Sequence, residues 1–382
     1  MRSASLTWAP PFYFLYYAAA AALVPFLIVY YQDLGLTGTQ IGFLAGIPPL
    51  VSLFSAPIWG ALSDRTQRHK LSLLIAMSGA VLLALALSAF TAFVWLIPVV
   101  ITFAFFSSPI MPLVDNTTMS LLGDEKKRYG RIRVWGAIGW GATAPVAGWL
   151  IESGSIVWSF WIYSLMMAVG FLIAVKIPIH RHAREVGHER PQRLLTSPQW
   201  VIFLIVTFGG GMAFSMISNF LFLFLRGLNA DEFLLGLTLT TATLSEIPVL
   251  YFSERLLRRW NARQLMSAAM LFYAVRALAY SFIKVPWMAL PIQLLHGPTF
   301  SLMWFSGVSY ADEIAPAGLG ATAQGLFSGV LLGIGATAGA LLGGLLYDHI
   351  GIVNMFRVTA VGTLFALGFM LLMEKKNYKL SL

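Results

Sequence analysis

The stretch PIWGALSDRTQRHK at residues 57–70 closes one long apolar run, and PVLYFSERLLRRW at residues 248–260 closes another. Both stretches place a proline first, then serine, an acid and arginine in succession, and then further basic residues. Basic residues directly after an apolar run of about 20 residues are typical of the cytoplasmic end of a membrane-spanning helix. The recurrence of this pattern in the second part of the chain indicates two similar halves.

Composition agrees with a membrane protein. Of 382 residues, 58% are hydrophobic and 11% are charged, whereas about a quarter of the residues in soluble domains are charged. A helix needs about 20 apolar residues to cross a hydrocarbon core roughly 30 Å thick. Twelve runs meet this requirement, which we number as spans 1–12: 10–32, 39–62, 71–91, 94–122, 134–152, 155–178, 199–225, 233–257, 263–283, 287–311, 321–347 and 351–373. The sequence predicts an all-α membrane protein with twelve transmembrane helices, the first of them too long for a signal peptide.

The basic residues are distributed unevenly between alternate loops. If the N-terminus is cytoplasmic, the loops and tail on that side hold Arg65, Arg68, Lys70, Lys126, Lys127, Arg128, Arg131, Lys176, Arg181, Arg184, Arg190, Arg193, Arg255, Arg258, Arg259, Arg263, Lys375, Lys376 and Lys379. The opposite loops hold only Arg226, Lys284 and Arg357. This asymmetry predicts cytoplasmic N- and C-termini. It also explains the net charge of +9 without a nucleic-acid partner.

The longest polar stretch, residues 179–198, divides the spans into two sets of six. We therefore expect an N-terminal six-helix bundle at 1–178, a cytoplasmic linker at 179–198 and a C-terminal six-helix bundle at 199–382. Parallel repeats of this kind hold substrate between them near the membrane midplane. Three histidines in the linker suggest a metal tract, but basic residues spaced among them favour a solvated connector, so no metal site is predicted. The absence of cysteine from the sequence excludes thiol and disulfide chemistry.

The segment GALSDRTQRHK, residues 60–70, resembles the motif between spans 2 and 3 of the major facilitator superfamily. The resemblance implies a two-bundle transporter that works by alternating access. It also implies gating roles for Gly60, Asp64 and Arg65: the glycine allows close helix packing, and the aspartate caps a helix end and meets a basic partner in one state. One departure is Gln67, which stands where the family usually has glycine.

Five ionisable side chains lie within or at the edge of the predicted spans. Because a charge at the bilayer centre costs about 2.5–3.5 kcal/mol on insertion scales, such residues normally face the protein interior and a partner. They are Asp115 in span 4, Arg133 entering span 5, Glu246 in span 8, Arg276 in span 9 and His296 in span 10.

Depth along the spans predicts which of these groups meet. Asp115 lies about 10 Å inside span 4, and Arg133 reaches a similar depth if its helix begins near Arg128. Arg276 and His296 lie at comparable depths measured from the outer face, and Glu246 is the nearest acid available to neutralise Arg276. We therefore expect an Asp115–Arg133 pair and a second group around Arg276.

The resemblance then narrows to the oligosaccharide:proton symporters of the lactose permease type. It is carried by Pro112–Trp140, which contains Asp115 and YGRIRVWGAIGW, and by YAVRALAY and QLLHGPTF in the second half. The resemblance implies that Asp115 and Arg133 bind sugar hydroxyls and that Trp140 stacks on the sugar ring. Arg276 and His296 match that group's arginine and histidine, and complete the predicted substrate site.

The chain also departs from these symporters. Thr299 stands where the symporters have the glutamate that releases the proton, and Thr243 occupies the expected place of the acid in span 8, with Glu246 one turn later. The proton carrier is therefore open among Glu246, His296 and Asp115. The segments SEIPVLYFSERLLRR, LLHGPTF and ATAQGL are more similar to the related phenylpropionate permease branch.

Simpler interpretations remain for each site residue. Asp115 and Arg133 are also consistent with a structural pair, and Trp140 with a packing residue. His296 is also consistent with a buried neutral histidine bonded to a carbonyl, and Glu246 with a gate residue near Pro248. These interpretations predict no solute contact.

The predicted function is proton-coupled uptake of a small polar organic solute across the cytoplasmic membrane by a multi-pass monomer. No phosphate-binding Gly-Lys-Ser/Thr loop is present, so ATP is not expected to drive it, and no cofactor or enzyme activity is predicted. A sugar or glycoside is favoured by Asp115, Arg133 and Trp140 together. An aromatic carboxylate is the alternative solute, and proton-coupled efflux by an antiporter is the alternative direction.

Overall fold

The computed structural model describes residues 6–177, 197–316 and 318–380, and these are helical almost throughout. The predicted linker at 179–198 lies almost entirely outside the described residues. The α-helices are α1 Ala9–Asp33, α2 Gly38–Thr66, α3 His69–Leu87, α4 Phe93–Ser107, α5 Ile110–Leu122, α6 Tyr129–Ser153, α7 Trp158–Val175, α8 Pro198–Gly227, α9 Glu232–Tyr251, α10 Ser253–Arg259, α11 Ala262–Tyr280, α12 Ala289–Gln293, α13 Leu302–Ile314, α14 Gly320–Ser328, α15 Ala336–Ile350 and α16 Ile352–Leu380.

Within the described ranges, ten helices are long and apolar enough to cross a membrane. They are α1, α2, α3, the combined segment Phe93–Leu122, α6, α7, α8, α9, the combined segment Gly320–Ile350, and Ile352–Met373 of α16. These ten correspond to predicted spans 1–8, 11 and 12. Spans 9 and 10 are not among them, and their crossing of the membrane stays a prediction.

Two predicted spans are interrupted at prolines. In span 4, α4 ends at Ser107 and α5 begins at Ile110, with Pro109 before it. In span 10, α12 is followed by a π-helical turn at Gly297–Ser301 that contains Pro298. Because proline has no backbone N–H, it cannot complete the regular ladder of hydrogen bonds, and the helix widens or breaks there. Each interruption lies close to a predicted site residue.

The chain groups into two compact units, each built from three segments of the sequence. Unit 1 comprises residues 1–36, 50–185 and 225–240, and unit 2 comprises 37–49, 186–224 and 241–382.

In unit 1, α1 packs on α6 and α7, and α3 packs on α4 and α7. Small residues make the contact between α1 and α6 close: a Cβ at Gly139 would overlap the carbonyl group of Phe14, and one at Gly136 would overlap the ring of Tyr17. Such small-residue contacts are typical of helix pairs in membranes. They bring the tyrosines of α1 against the start of α6, where Arg133 lies.

In unit 2, α11 packs on α16 and α13. The glycines of span 11 form a close-packing surface at Gly335, Gly339 and Gly343, where an added Cβ would overlap Phe208, Met212 and Phe220 of α8, respectively. Gly325 differs, since a Cβ there would meet open space. The contacts of α11 with α16 and α13 hold the helix that carries Arg276.

We predict that Gly139→Ala destabilises the protein, because the added methyl group overlaps the backbone of Phe14 and overpacking costs about 1–3 kcal/mol. Gly130→Ala on the same helix is the control: a Cβ at Gly130 meets no atom of the described residues within 4 Å, and alanine favours helix by about 1 kcal/mol. The measurement is thermal unfolding of both variants in detergent. Equal melting temperatures would show that α1 and α6 do not pack closely at Gly139.

Candidate functional site

The first candidate site lies in unit 1 and consists of Tyr13, Tyr17, Asp115, Tyr129 and Arg133, which we call the Asp115 cluster. The hydroxyl of Tyr13, a fully buried residue, donates a hydrogen bond to Oδ1 of Asp115. Tyr129 also interacts with Asp115. The carboxylate of Asp115 is therefore held by phenol groups from α1 and α6, which are hydrogen-bond donors without charge.

Arg133 is held by the tyrosines of α1. Its guanidinium donates to the hydroxyl of Tyr17, and its Cζ lies 4.3 Å from the centre of the Tyr17 ring and 5.8 Å from that of Tyr13. Both distances are within the range of cation–π attraction. In the part of the chain that the structure describes, no carboxylate lies within 4.0 Å of Arg133.

The predicted direct pair of Asp115 and Arg133 is thus replaced by a cluster with tyrosine partners. The helix that carries Arg133 begins at Tyr129, close to Arg128 as the depth argument assumed. Asp115 and Arg133 interact electrostatically. Trp140 lies seven residues after Arg133 on the same helix, two turns along, and is partly buried. The three residues implied to bind substrate in this half therefore lie on the α5 and α6 elements of one unit.

The second candidate site lies in unit 2 and consists of Glu246, Arg276 and His296, which we call the Glu246 relay. Nη1 of Arg276 lies 3.0 Å from Nδ1 of His296. Nε2 of the same imidazole lies 3.1 Å from Oε1 of Glu246. The acid that the sequence predicted to neutralise Arg276 is therefore joined to the arginine through the histidine.

The hydrogen-bonding capacity of these groups assigns the tautomer of His296. A guanidinium only donates, so Nδ1 of His296 must accept from Arg276 and cannot carry a proton. Nε2 then carries the single ring proton and donates it to Glu246. His296 is consequently neutral in this arrangement, with its proton directed at the carboxylate.

The solvent exposure of the relay increases from the arginine to the carboxylate. Arg276 is 2% exposed, and its guanidinium also donates to Gln293 and, over 3.1 Å, to Thr299. The side chain of His296 is 13% exposed and that of Glu246 is 27% exposed, and Oε2 of Glu246 accepts from Ser301 over 3.2 Å. Only the carboxylate end is substantially accessible.

The predicted gating residues lie in unit 1 at the end of α2. Asp64 is 65% exposed and lies 3.7 Å from Nε2 of His69 at the start of α3. Gln67 has a φ of 53°, in the left-handed region that favours glycine, which explains why the related motif usually has glycine there.

Gly60 does not show the close packing that the resemblance implied. A Cβ at Gly60 would meet no described atom within 4 Å, and Arg65 is exposed. The gating roles of Gly60, Asp64 and Arg65 stay a prediction.

Sequence reasoning missed the uncharged partners. Tyr13 and Tyr17 are four residues apart in FYFLYY, one helical turn, and so lie on the same face of α1. That spacing was a usable signal. Gln293, three residues before His296, was equally visible as a polar residue in an apolar run, but an amide there does not by itself indicate a partner.

Comparison with known proteins gives consistent results. The model of the MFS_1 like family matches residues 6–358. Maltose permease of Geobacillus stearothermophilus is 27% identical over 96% of this chain and 94% of the permease. The probable 3-phenylpropionic acid transporter of Escherichia coli (strain K12) is 25% identical over 91% of this chain and 92% of that protein.

The crystal structure of the nucleoside transporter NupG is similar with a TM-score of 0.86, at 16% identity, over 96% of this chain and 98% of NupG. At that identity the similarity shows a shared fold alone.

We predict that Tyr13→Phe lowers the stability of unit 1, because it removes a buried hydrogen bond to a carboxylate, which contributes about 1.5–3 kcal/mol. Tyr31→Phe is the matched control on the same helix, since the hydroxyl of Tyr31 makes no hydrogen bond to the described residues. Thermal unfolding in detergent measures both. If the two variants unfold at the same temperature, Tyr13 does not hold Asp115.

Proposed function

Since the chain belongs to the MFS_1 like family and is a multi-pass membrane transporter rather than an enzyme, we propose that it takes up a small polar organic solute together with protons. In this proposal the chain acts as a monomer with twelve spans and cytoplasmic termini. Residues 1–178 and 199–382 form the two halves, joined by the linker at 179–198, and Gly60, Asp64 and Arg65 take part in gating.

The observation that carries the proposal is the Glu246 relay. A proton on Glu246 removes the only negative charge of the relay and leaves Arg276 as an unbalanced positive charge. Binding and release of one proton therefore change the net charge of this site by one unit. A transporter needs such a change to couple a proton gradient to a conformational equilibrium.

Within the relay, Glu246 is the group that accepts the coupling proton. His296 is bonded through Nδ1 to Arg276, so a second ring proton would face a guanidinium N–H. Asp115 is held by Tyr13 in the other candidate site. Hydrogen bonds within the relay already occupy the imidazole of His296 and most of the guanidinium of Arg276. We therefore assign these two residues, which the sequence placed in the substrate site, to the support of Glu246 in proton coupling.

The Asp115 cluster supplies the groups that a sugar or glycoside requires. Asp115 accepts hydrogen bonds, Arg133 donates them, and Tyr17 and Trp140 present aromatic surface on neighbouring helices. Sugar hydroxyls bond well to both charged groups, and aromatic faces pack on the apolar side of a sugar ring. The similarity to a maltose permease supports this solute class.

An aromatic carboxylate is the second candidate, and one observation favours it. Among the described residues no carboxylate lies within ion-pair distance of Arg133, so an anionic solute would supply the missing partner. The similarity to a probable 3-phenylpropionic acid transporter supports it as well.

We predict that Glu246→Gln abolishes accumulation of solute driven by a proton gradient but leaves solute exchange across the membrane, because the amide oxygen of glutamine can still accept from His296 and the amide cannot bind a proton. Uptake and counterflow in proteoliposomes measure the two activities. Glu254→Gln, at an 86% exposed side chain on α10, is the control and should behave as wild type. Gradient-driven accumulation by Glu246→Gln would rule out Glu246 as the proton carrier.

A second pair of variants separates the two solute classes. Asp115→Asn should reduce sugar affinity about 10- to 100-fold, because a hydrogen bond to a charged group is worth about 1.5–3 kcal/mol. Arg133→Lys should instead impair carboxylate uptake most, since lysine lacks the planar fork that binds both carboxylate oxygens. The measurement is KM for a panel of sugars and aromatic acids. Unchanged KM values in both variants would place the solute elsewhere.

A further inference from the structure

Gln293 is a buried amide that the proposed function does not use. It is the last residue of α12, is 2% exposed, and accepts a hydrogen bond at Oε1 from Nη2 of Arg276. Thr299 lies three residues beyond His296, as Gln293 lies three residues before it. The Thr299 hydroxyl accepts from Nη1 of Arg276 over 3.1 Å and donates to the main-chain oxygen of His296 over 2.8 Å.

We propose that Gln293 and Thr299 are positioning residues that determine the protonation state of His296 by holding the guanidinium of Arg276. The guanidinium is planar and its N–H groups point in fixed directions. An acceptor on Nη2 and another on Nη1 therefore fix its plane, and the remaining Nη1–H points at Nδ1 of His296.

This arrangement keeps His296 neutral. Protonation of Nδ1 would place two N–H groups against each other, and it would set an imidazolium beside a guanidinium in a poorly solvated site. Removal of either anchor frees Arg276 to turn away, and Nδ1 then becomes able to bind a proton. The inference rests on the proposed function only for its consequence, which is that the coupling proton is confined to Glu246.

The backbone around His296 is itself held in place. The amide N–H of Gly297 donates to Oγ of Ser245 over 2.9 Å, at the start of the π-helical turn that contains Pro298. A Cβ at Gly297 would overlap the main-chain oxygen of Ser245, so α9 and this turn are in close contact. His296 therefore has little freedom to follow Arg276 if the guanidinium moves.

Arg276 is the cation that determines the protonation state of His296, as the other groups around the imidazole show. From α9 comes Glu246 and from α11 comes Arg276, and the phenol of Tyr273 on α11 interacts electrostatically with both of these groups. From α8 comes the ring of Phe214, and Phe300 in the π-helical turn stacks on the imidazole at a centroid distance of 5.6 Å. In the described part of unit 2, no further charged side chain contacts this imidazole.

The test is ¹⁵N NMR of the full-length protein in lipid nanodiscs, with His296 as the only histidine after replacement of His69, His180, His182, His188 and His349 by glutamine. In this background His296 should keep a single proton, on Nε2, from about pH 8 to about pH 5, the range over which an ordinary histidine becomes charged. With Gln293→Met or Thr299→Val added, at least half of His296 should be imidazolium by about pH 5. Thr299→Ser keeps the hydroxyl and should restore the neutral form.

The inference is overturned if His296 carries a proton on Nδ1 in the protein with both anchors intact, or if both anchor variants titrate as that protein does. Should Gln293→Met fail to fold, the comparison of Thr299→Val with Thr299→Ser decides the question, with thermal unfolding as the check on folding. The spectra require no transport. A neutral His296 together with solute accumulation by Glu246→Gln would therefore reject the proposed function and leave this inference standing.

Discussion

The buried guanidinium of Arg276 is the constraint on which the chemistry of unit 2 depends. A charge at the bilayer centre costs about 2.5–3.5 kcal/mol on insertion scales, and Arg276 is 2% exposed. Its hydrogen bonds to His296, Gln293 and Thr299 each involve a charged donor, and such bonds contribute about 1.5–3 kcal/mol. These bonds offset the cost of insertion in the absence of a carboxylate in direct contact, although Nε of Arg276 is buried without a hydrogen-bond partner among the described residues.

The two candidate sites share this separation of acid from arginine by uncharged groups. In the Asp115 cluster the carboxylate is bonded to Tyr13, and Arg133 is bonded to Tyr17. In the Glu246 relay the imidazole of His296 stands between the two charges. A buried ion pair in direct contact is costly to break, because each charge loses its partner in a medium of low polarity. Charges that are bonded to phenol, imidazole and amide groups can keep those bonds when a proton or solute binds, as the proposed change of charge at Glu246 requires.

Much of this arrangement was predictable, for physical reasons that differ between residues. The long apolar runs indicated membrane-spanning helices because a helix must be of a certain length to cross the bilayer, and ten described helices meet that requirement. Asp115, Arg133, Glu246, Arg276 and His296 stood out because charge is costly there. Their partners were not predicted, since tyrosine, glutamine and threonine carry no such penalty and occur at many other positions. Likewise, nothing in the sequence around Pro298 indicated that Gln293 and Thr299 would both bond to the same guanidinium.

Thr299 illustrates how one residue changes the partners of a buried arginine. In the symporters that this chain resembles, the corresponding residue is the glutamate that releases the proton, and a carboxylate at this position would form a direct ion pair with Arg276. A hydroxyl forms only a hydrogen bond, over 3.1 Å here, and leaves the second hydrogen of Nη1 for His296. The negative charge that balances Arg276 must then come from another helix, and Glu246 supplies it through the imidazole at 3.1 Å. Thr299 in span 10 and Glu246 in span 8, two positions at which the chain departs from those symporters, therefore both contribute to the environment of Arg276.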